Sequence, residues 1–296
     1  MTAKEKIIID TDIGDDIDDA FAIVLATLSD EIELLGITTV FRNSSLRAKM
    51  AKALLDSYGV RNIPVYAGCD IPLLATESID SFTPCQYDEK SMSSFDYEQG
   101  WGPDFIIESV LKYPGEITLV PIGPLTNIAM AVRKRPEIIS KIKRIVLMGG
   151  FITEDVPEWN ILCDPEAARV VYTCGAPVYA VGLDVTMKCK LVQSDVEEFR
   201  SIGSRGSIVL SHMLDDWYNH YKFECPVLHD PLTVGTLIDE SFVEFEKSEV
   251  KVLLTGNDRG KTVRLKSSEE GSSTINIAID TDSRRYLSLF KQRLFI

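Results

Sequence analysis

Histidine is scarce in this 296-residue chain, with three residues, and the six cysteines (Cys69, Cys85, Cys163, Cys174, Cys189 and Cys225) show no C-x-x-C spacing. A zinc ribbon and a thioredoxin-like redox motif are thereby excluded. No apolar run reaches membrane-spanning length, and the opening MTAKEKIIIDTD lacks the apolar core of a signal peptide, so a cytoplasmic protein without a membrane partner is expected. Gly149-Gly150 follows a strand-like run, yet G-x-G-x-x-G is absent, which removes a dinucleotide loop. Positive charge is also short: 31 Lys and Arg stand against 45 Asp and Glu, a net charge of −14. That balance excludes a nucleic-acid partner, which needs a basic face, and repels phosphorylated metabolites. A neutral substrate, or a cation held by clustered carboxylates, fits it.

What is present is ordinary for a soluble globular protein, with 45% apolar and 26% charged residues. Short β-branched runs (Lys6 to Ile9, Ile32 to Val40, Ile117 to Val120, Ile145 to Met148, Val178 to Val181) alternate with helical patterns. Those patterns cover Asp19 to Leu28, Ser45 to Tyr58, Asp104 to Tyr113, Leu125 to Arg133 and Pro165 to Cys174. Alternation of this kind predicts an α/β fold with a mainly parallel central sheet flanked by helices, and ligands bound where the strands end. Thr76 to Gly102 has no clean period and is expected to be a long loop or flap. From Val192 the pattern turns more helical, with further strands at Val250 to Leu254, Thr262 to Leu265 and Thr274 to Ile279. With no repeat and no low-complexity linker, residues 1–296 are expected to form one domain.

The sharpest feature follows the first strand. Asp10-Thr11-Asp12-Ile13-Gly14-Asp15-Asp16-Ile17-Asp18-Asp19 packs six carboxylates into ten residues. So many acids repel one another unless they are solvated, protonated or share a cation. Oxygen ligands in flexible geometry select Ca²⁺ over Mg²⁺. An EF-hand is excluded, because counting from Asp10 places Asp15 at its invariant Gly and Phe21 at its closing Glu, so ligands must come from separate loops. Acids complementing a helix dipole explain one or two of the six. Asp10-x-Asp12 after a strand also matches haloacid-dehalogenase-like phosphohydrolases, with Asp10 as nucleophile. That pattern wants Thr or Val where this chain has Gly14, and a later Lys with paired acids, which has no clear counterpart.

Beyond this cluster the chain resembles the inosine-uridine nucleoside hydrolase family in several further places. Its opening D-x-D-P-G-x-D-D is answered by Asp10-Thr11-Asp12-Ile13-Gly14 and then Asp18-Asp19-Ala20. In family order follow Ile37-Thr38-Thr39-Val40 leading to Asn43, Val65-Tyr66-Ala67-Gly68, and Pro121-Ile122-Gly123-Pro124-Leu125-Thr126-Asn127. Val146-Leu147-Met148-Gly149-Gly150, Glu158-Trp159-Asn160, Asp164-Pro165-Glu166, Gly182-Leu183-Asp184-Val185-Thr186 and His229-Asp230-Pro231 complete the set.

The resemblance implies hydrolysis of a ribonucleoside to ribose and free base with Ca²⁺ as cofactor, in salvage, by a homodimer or homotetramer. It makes Asp12 a calcium ligand and the general base for water, with Asp19, Asp230 and the backbone carbonyl of Ile122 as further ligands. Asp18 and Asn43 resemble residues holding ribose hydroxyls, Glu158 and Asn160 those on the 5′ side, and Met148 the residue beneath the ring. His229 stands where the family places a histidine near the leaving base. A calcium-dependent nucleoside or ribose binder without turnover is the non-enzymatic alternative; a binder has no need of the water-activating Asp12.

Two extra residues separate Gly14 from Asp18-Asp19, and Asp15 and Asp16 are read as bystanders in a widened turn. The segment between Gly150 and Glu158 is short, leaving one sugar-holding Asn of the family without a counterpart. His212 and His220 are read as satisfied core residues. Ile208, Val209, Met213, Leu214 and Trp217 fit a core stripe, while Trp217, Tyr218 and Tyr221 are candidates for stacking on a base. Thr126-Asn127 is expected to begin a helix.

Overall fold

The computed structural model describes residues 3–74 and 82–295. Its strands are β1 (Glu5–Thr11), β2 (Ile32–Thr39), β3 (Val65–Ala67), β4 (Ile117–Pro121), β5 (Arg144–Met148), β6 (Val178–Val181), β7 (Val243–Val252), β8 (Thr262–Leu265) and β9 (Ser272–Thr281). Between the early strands lie α1 (Asp18–Leu28), α2 (Ser44–Ser57), α3 (Glu89–Met92), α4 (Gly102–Lys112) and α5 (Thr126–Lys134). The later helices are α6 (Trp159–Cys163), α7 (Pro165–Tyr172), α8 (Leu183–Thr186), α9 (Gln193–Ser201), α10 (Arg205–Tyr221), α11 (His229–Ile238) and α12 (Ser283–Leu294).

The nine strands of the described residues form one sheet in the order β3-β2-β1-β4-β5-β6-β9-β7-β8. The pairings from β3 to β9 are parallel, and β7 runs antiparallel to both β9 and β8. Because successive side chains of a strand point to opposite faces, Ile7 and Ile9 enter one apolar core while Ile8 enters the other. The first core is closed by residues such as Phe21, Leu54, Trp217, Leu232 and Phe290 from α1, α2, α10, α11 and α12. The second takes Ile106, Ile128 and Val171 from α4, α5 and α7. A central strand covered on both faces needs a continuous apolar run, which Ile7-Ile8-Ile9 supplies.

Element boundaries expected from the pattern hold to within a few residues, with two larger differences. β7 begins at Val243, well before Val250, because its first half mixes the exposed Glu244 and Lys247 with the buried Val243 and Ser248. Such a pattern suits the half-solvated antiparallel end of the sheet, where β7 lies between β9 and the outermost strand β8, and not a strand buried on both faces. The expected flap carries a short helix, α3, and its residues up to 81 lie outside the described residues.

Strand order reverses at β1, with β2 on one side and β4 on the other. The crevice at the carboxyl ends of these strands is where a ligand site forms in such sheets. β1 delivers the acid-rich turn that follows Asp10 into that crevice.

Candidate active site

The turn after β1 ends as Asp18 and Asp19 open α1, and Asp230 occupies the first turn of α11, which packs against α1. Helix N-termini favour carboxylates. The Asp230 backbone N–H donates to Asp18 Oδ2 at 3.0 Å, which joins the two helix starts. Oxygens of Asp18, Asp19 and Asp230 all lie within 4.8 Å of one another, and all three residues are buried. Asp12 faces the same cavity, of about 490 Å³, together with Asp15, Asp16, Ile122, Met148, Glu158, Asn160 and His229. Gly123 makes room for Asp12, since a Cβ there would stand 2.5 Å from Asp12 Oδ1.

Burial dominates the electrostatics. It pushes Asp12 up to about 7, against a downward pull from the Arg47 guanidinium. Burial, followed by the neighbouring acids, holds Asp18, Asp19 and Asp230 well above the usual carboxylate range. Four such groups converge without ionising freely, and a cation among them would restore their charge. The donor set is all oxygen, which suits a hard divalent cation. The residues therefore fit a metal.

Opposite this cluster, Glu158 caps α6, accepting from the N–H groups of Asn160 (2.7 Å), Ile161 (3.1 Å) and Gly150 (3.2 Å). Asn160 Nδ2 donates to the Ile122 carbonyl at 2.9 Å and reaches the Met148 carbonyl at 3.3 Å. Ile122 O thus keeps one lone pair for another partner. His229 Nδ1 lies 2.7 Å from Thr186 Oγ1, and burial lowers the imidazole to about 4. It is neutral at pH 7.

A family profile described as "Inosine-uridine preferring nucleoside hydrolase" matches residues 7–288. The chain belongs to that family, whose members are hydrolases of N-glycosyl bonds. It is 34% identical to a protein named "Probable uridine nucleosidase 2" of Arabidopsis thaliana, with 98% of each chain covered. In structure it resembles a plant nucleoside hydrolase with a TM-score of 0.89, at 30% identity and 99% coverage of each chain. It also resembles the purine-preferring ribonucleoside hydrolase from Gardnerella vaginalis, with a TM-score of 0.84, at 32% identity and 98% coverage of each chain.

The nucleoside hydrolase frame accounts for the first aspartate of the acid turn. Asp10 is fully buried, accepts from Thr38 Oγ1 (2.6 Å) and Asn127 Nδ2 (2.7 Å), and is not among the residues lining the cavity. A phosphohydrolase nucleophile must reach its substrate, so the alternative built on Asp10 falls. Asn127 begins α5 as expected, yet it also ties Asp10 to the Thr39 carbonyl.

Asn43 is placed outside the residues lining the cavity. Its side chain accepts from Leu46 N at the start of α2 and donates to the Phe82 carbonyl at 2.9 Å. His212 and His220 are both exposed, contrary to the core reading, because they fall on the outward i, i+4, i+8 line of α10 with Asp216. Ile208, 46% exposed, leaves the expected core stripe for the same face, whereas Met213, Leu214 and Trp217 are buried as expected. His220 and Tyr221 reach the cavity mouth with Phe223. The Tyr221 and Phe223 rings stack with centroids 5.5 Å apart and planes at 5°.

Sequence reasoning missed Arg47 and Gln86, and it quoted Thr186 within a family motif without giving it a role. Arg47 is fully buried beneath the turn and pairs with Asp15 at 2.8 Å. Six carboxylates in ten residues without a local base were the available signal that a cation must arrive from elsewhere in the chain.

Proposed function

We propose that this chain hydrolyses the N-glycosidic bond of ribonucleosides to ribose and free base, with Ca²⁺ as its cofactor. The observation that carries this reading is the convergence of Asp12, Asp18, Asp19 and Asp230 on one cavity at the strand-order reversal. Asp12, Asp19, Asp230 and the Ile122 carbonyl would hold the ion. Asp18, grouped tightly with Asp19 and Asp230, would hold ribose hydroxyls on the metal side. When bound, the cation supplies Lewis acidity toward water and neutralises the acid cluster.

Asp12, as general base, accepts a proton from the attacking water. Direct attack with no enzyme nucleophile inverts the anomeric carbon. Glu158 and Asn160 orient the 5′ side of the sugar, and Met148 lies beneath its ring. Glu158 is already spent on three backbone N–H groups, so its part is to hold Asn160 and the Gly150 turn as much as to touch the sugar. His229, neutral, offers the departing base a hydrogen bond. The base itself fits the mouth formed by Tyr221, Phe223 and His220. Asn43, held by α2 and Phe82, reaches the ribose only if that loop moves.

The same reading places the enzyme in nucleoside salvage, in the cytoplasm, as a homodimer or homotetramer. Relatives named for uridine and for purines match comparably, so no base class is assigned. Reducing-sugar release from inosine, uridine, cytidine and adenosine tests the proposal, with and without a calcium chelator and beside Asp12→Asn. Chelator-sensitive release abolished by Asp12→Asn is expected; no release from any nucleoside by the calcium-loaded protein overturns it.

A further inference from the structure

The turn from Asp12 to Asp16 has every backbone carbonyl occupied from outside. Arg47 Nη1 donates to the carbonyls of Asp12 and Ile13, the latter at 2.9 Å. Gln86 donates its backbone N–H to the Gly14 carbonyl at 3.0 Å, and its Nε2 to the carbonyls of Asp15 (3.0 Å) and Asp16 (2.8 Å). Both residues are fully buried, and they approach from separate parts of the chain. Arg47 comes from α2, while Gln86 follows Phe82, whose ring lies under both the Arg47 and Arg42 guanidinium groups at 5.6 and 4.8 Å. Arg47 also donates Nε to the Phe41 carbonyl at 2.8 Å and Nη2 to the Asp15 carboxylate at 2.8 Å.

We propose that Arg47 and Gln86 are positioning residues that clamp the widened turn, so that Asp12 and the Asp18-Asp19 pair are presented to a cation in fixed register. A turn of five residues bearing three mutually repelling carboxylates has no hydrogen-bonded ladder of its own. The clamp supplies one. It also occupies five carbonyl oxygens and spends the Asp15 carboxylate on Arg47. The two extra residues of this turn thus serve as attachment points, and the ligand set is left to Asp12, Asp19, Asp230 and Ile122 O. Arg47 does this by geometry: its planar fork reaches four acceptors, three on the turn and one at Phe41, which a lysine ammonium cannot copy.

This inference rests on the calcium reading above, and the test separates the two. Ca²⁺ affinity is measured by isothermal titration on the chelator-stripped full chain without nucleoside, for wild type, Gln86→Met, Arg47→Met and Arg47→Lys. Outer-shell partners that orient ligands are worth about 10- to 100-fold in metal affinity. Weakening of that size is expected in Gln86→Met and in both Arg47 variants, with Arg47→Lys close to Arg47→Met. At saturating Ca²⁺ the KM for nucleoside returns to near the wild-type value. Should Arg47→Met fail to fold, Gln86→Met carries the test alone. A folded Gln86→Met that binds Ca²⁺ within two-fold of wild type overturns the clamp, even if its Tm falls, because the residue is then merely structural. Absence of Ca²⁺ binding by the wild type instead overturns the calcium reading.

Discussion

Asp12 to Asp19 and the rim from His220 to Phe223 face the same cavity but are held in opposite ways. The acid turn is buried apart from the half-buried Asp15 and Asp16, and partners from β1, α2, α11 and the Phe82–Gln86 segment fix its carbonyls and carboxylates. The aromatic rim sits at the end of α10, where Tyr221 and Phe223 are 37% and 56% exposed and stack chiefly on each other. Chemistry that needs sub-ångström placement is built from over-determined groups, whereas a surface that receives a flat, variable base is left loosely tied.

Substitutions should separate these two walls. Asp12→Asn keeps the shape but removes the base, and a loss of about 10²- to 10⁴-fold in kcat is expected by steady-state assay, with the fold intact by circular dichroism. Removal of the cation comes next. At a concentration of 100 times Kd a ligand stabilises by about 2.7 kcal/mol, so chelation should lower Tm by roughly 5–10 °C in a chain of this size.

That shift has a defined pH dependence. Burial raises Asp12 from 3.8 to about 7, so the metal-free native state resists ionising a group that the unfolded chain ionises freely. Its contribution to stability is present at acid pH and lost as pH rises from about 4 through 7. The increase in Tm on adding Ca²⁺ is therefore larger at pH 8 than at pH 5. An equal increase at both values would show that these acids are not the binding groups.

The rim predicts a smaller effect of another kind. Tyr221→Ala should cost about 1 kcal/mol of base stacking, roughly a five-fold rise in KM that differs between purine and pyrimidine substrates, with Tm unchanged. His212→Ala, on the outward face of α10, should alter neither activity nor stability by more than about 0.5 kcal/mol. A large effect there would mean that the face of α10 beyond the rim belongs to the site.

The sequence is legible where function is contiguous. Ile7 to Asp19 joins strand, turn and helix in one run, and its apolar and acidic letters announce a buried strand and a metal-binding cluster. It is silent where partners are distant. Arg47 meets Asp15 across 32 residues, Asn127 meets Asp10 across 117, and Thr186 meets His229 across 43. None of these pairings has a local period, because the topology of the sheet creates them. His220 was misread for a related reason: the helical period assigns a face, but what lies opposite that face is set by where α10 ends.

Asp10 illustrates a trap for any survey that scores variants by activity. It lies two residues from the proposed base and fastens β1 to β2 and α5 through Thr38 and Asn127, with its second oxygen unpartnered. Replacing it will silence the enzyme as surely as replacing Asp12, by loosening the joint on which the turn is mounted. On a map of intolerant positions the two aspartates will look alike, and a stability measurement will tell architecture from chemistry.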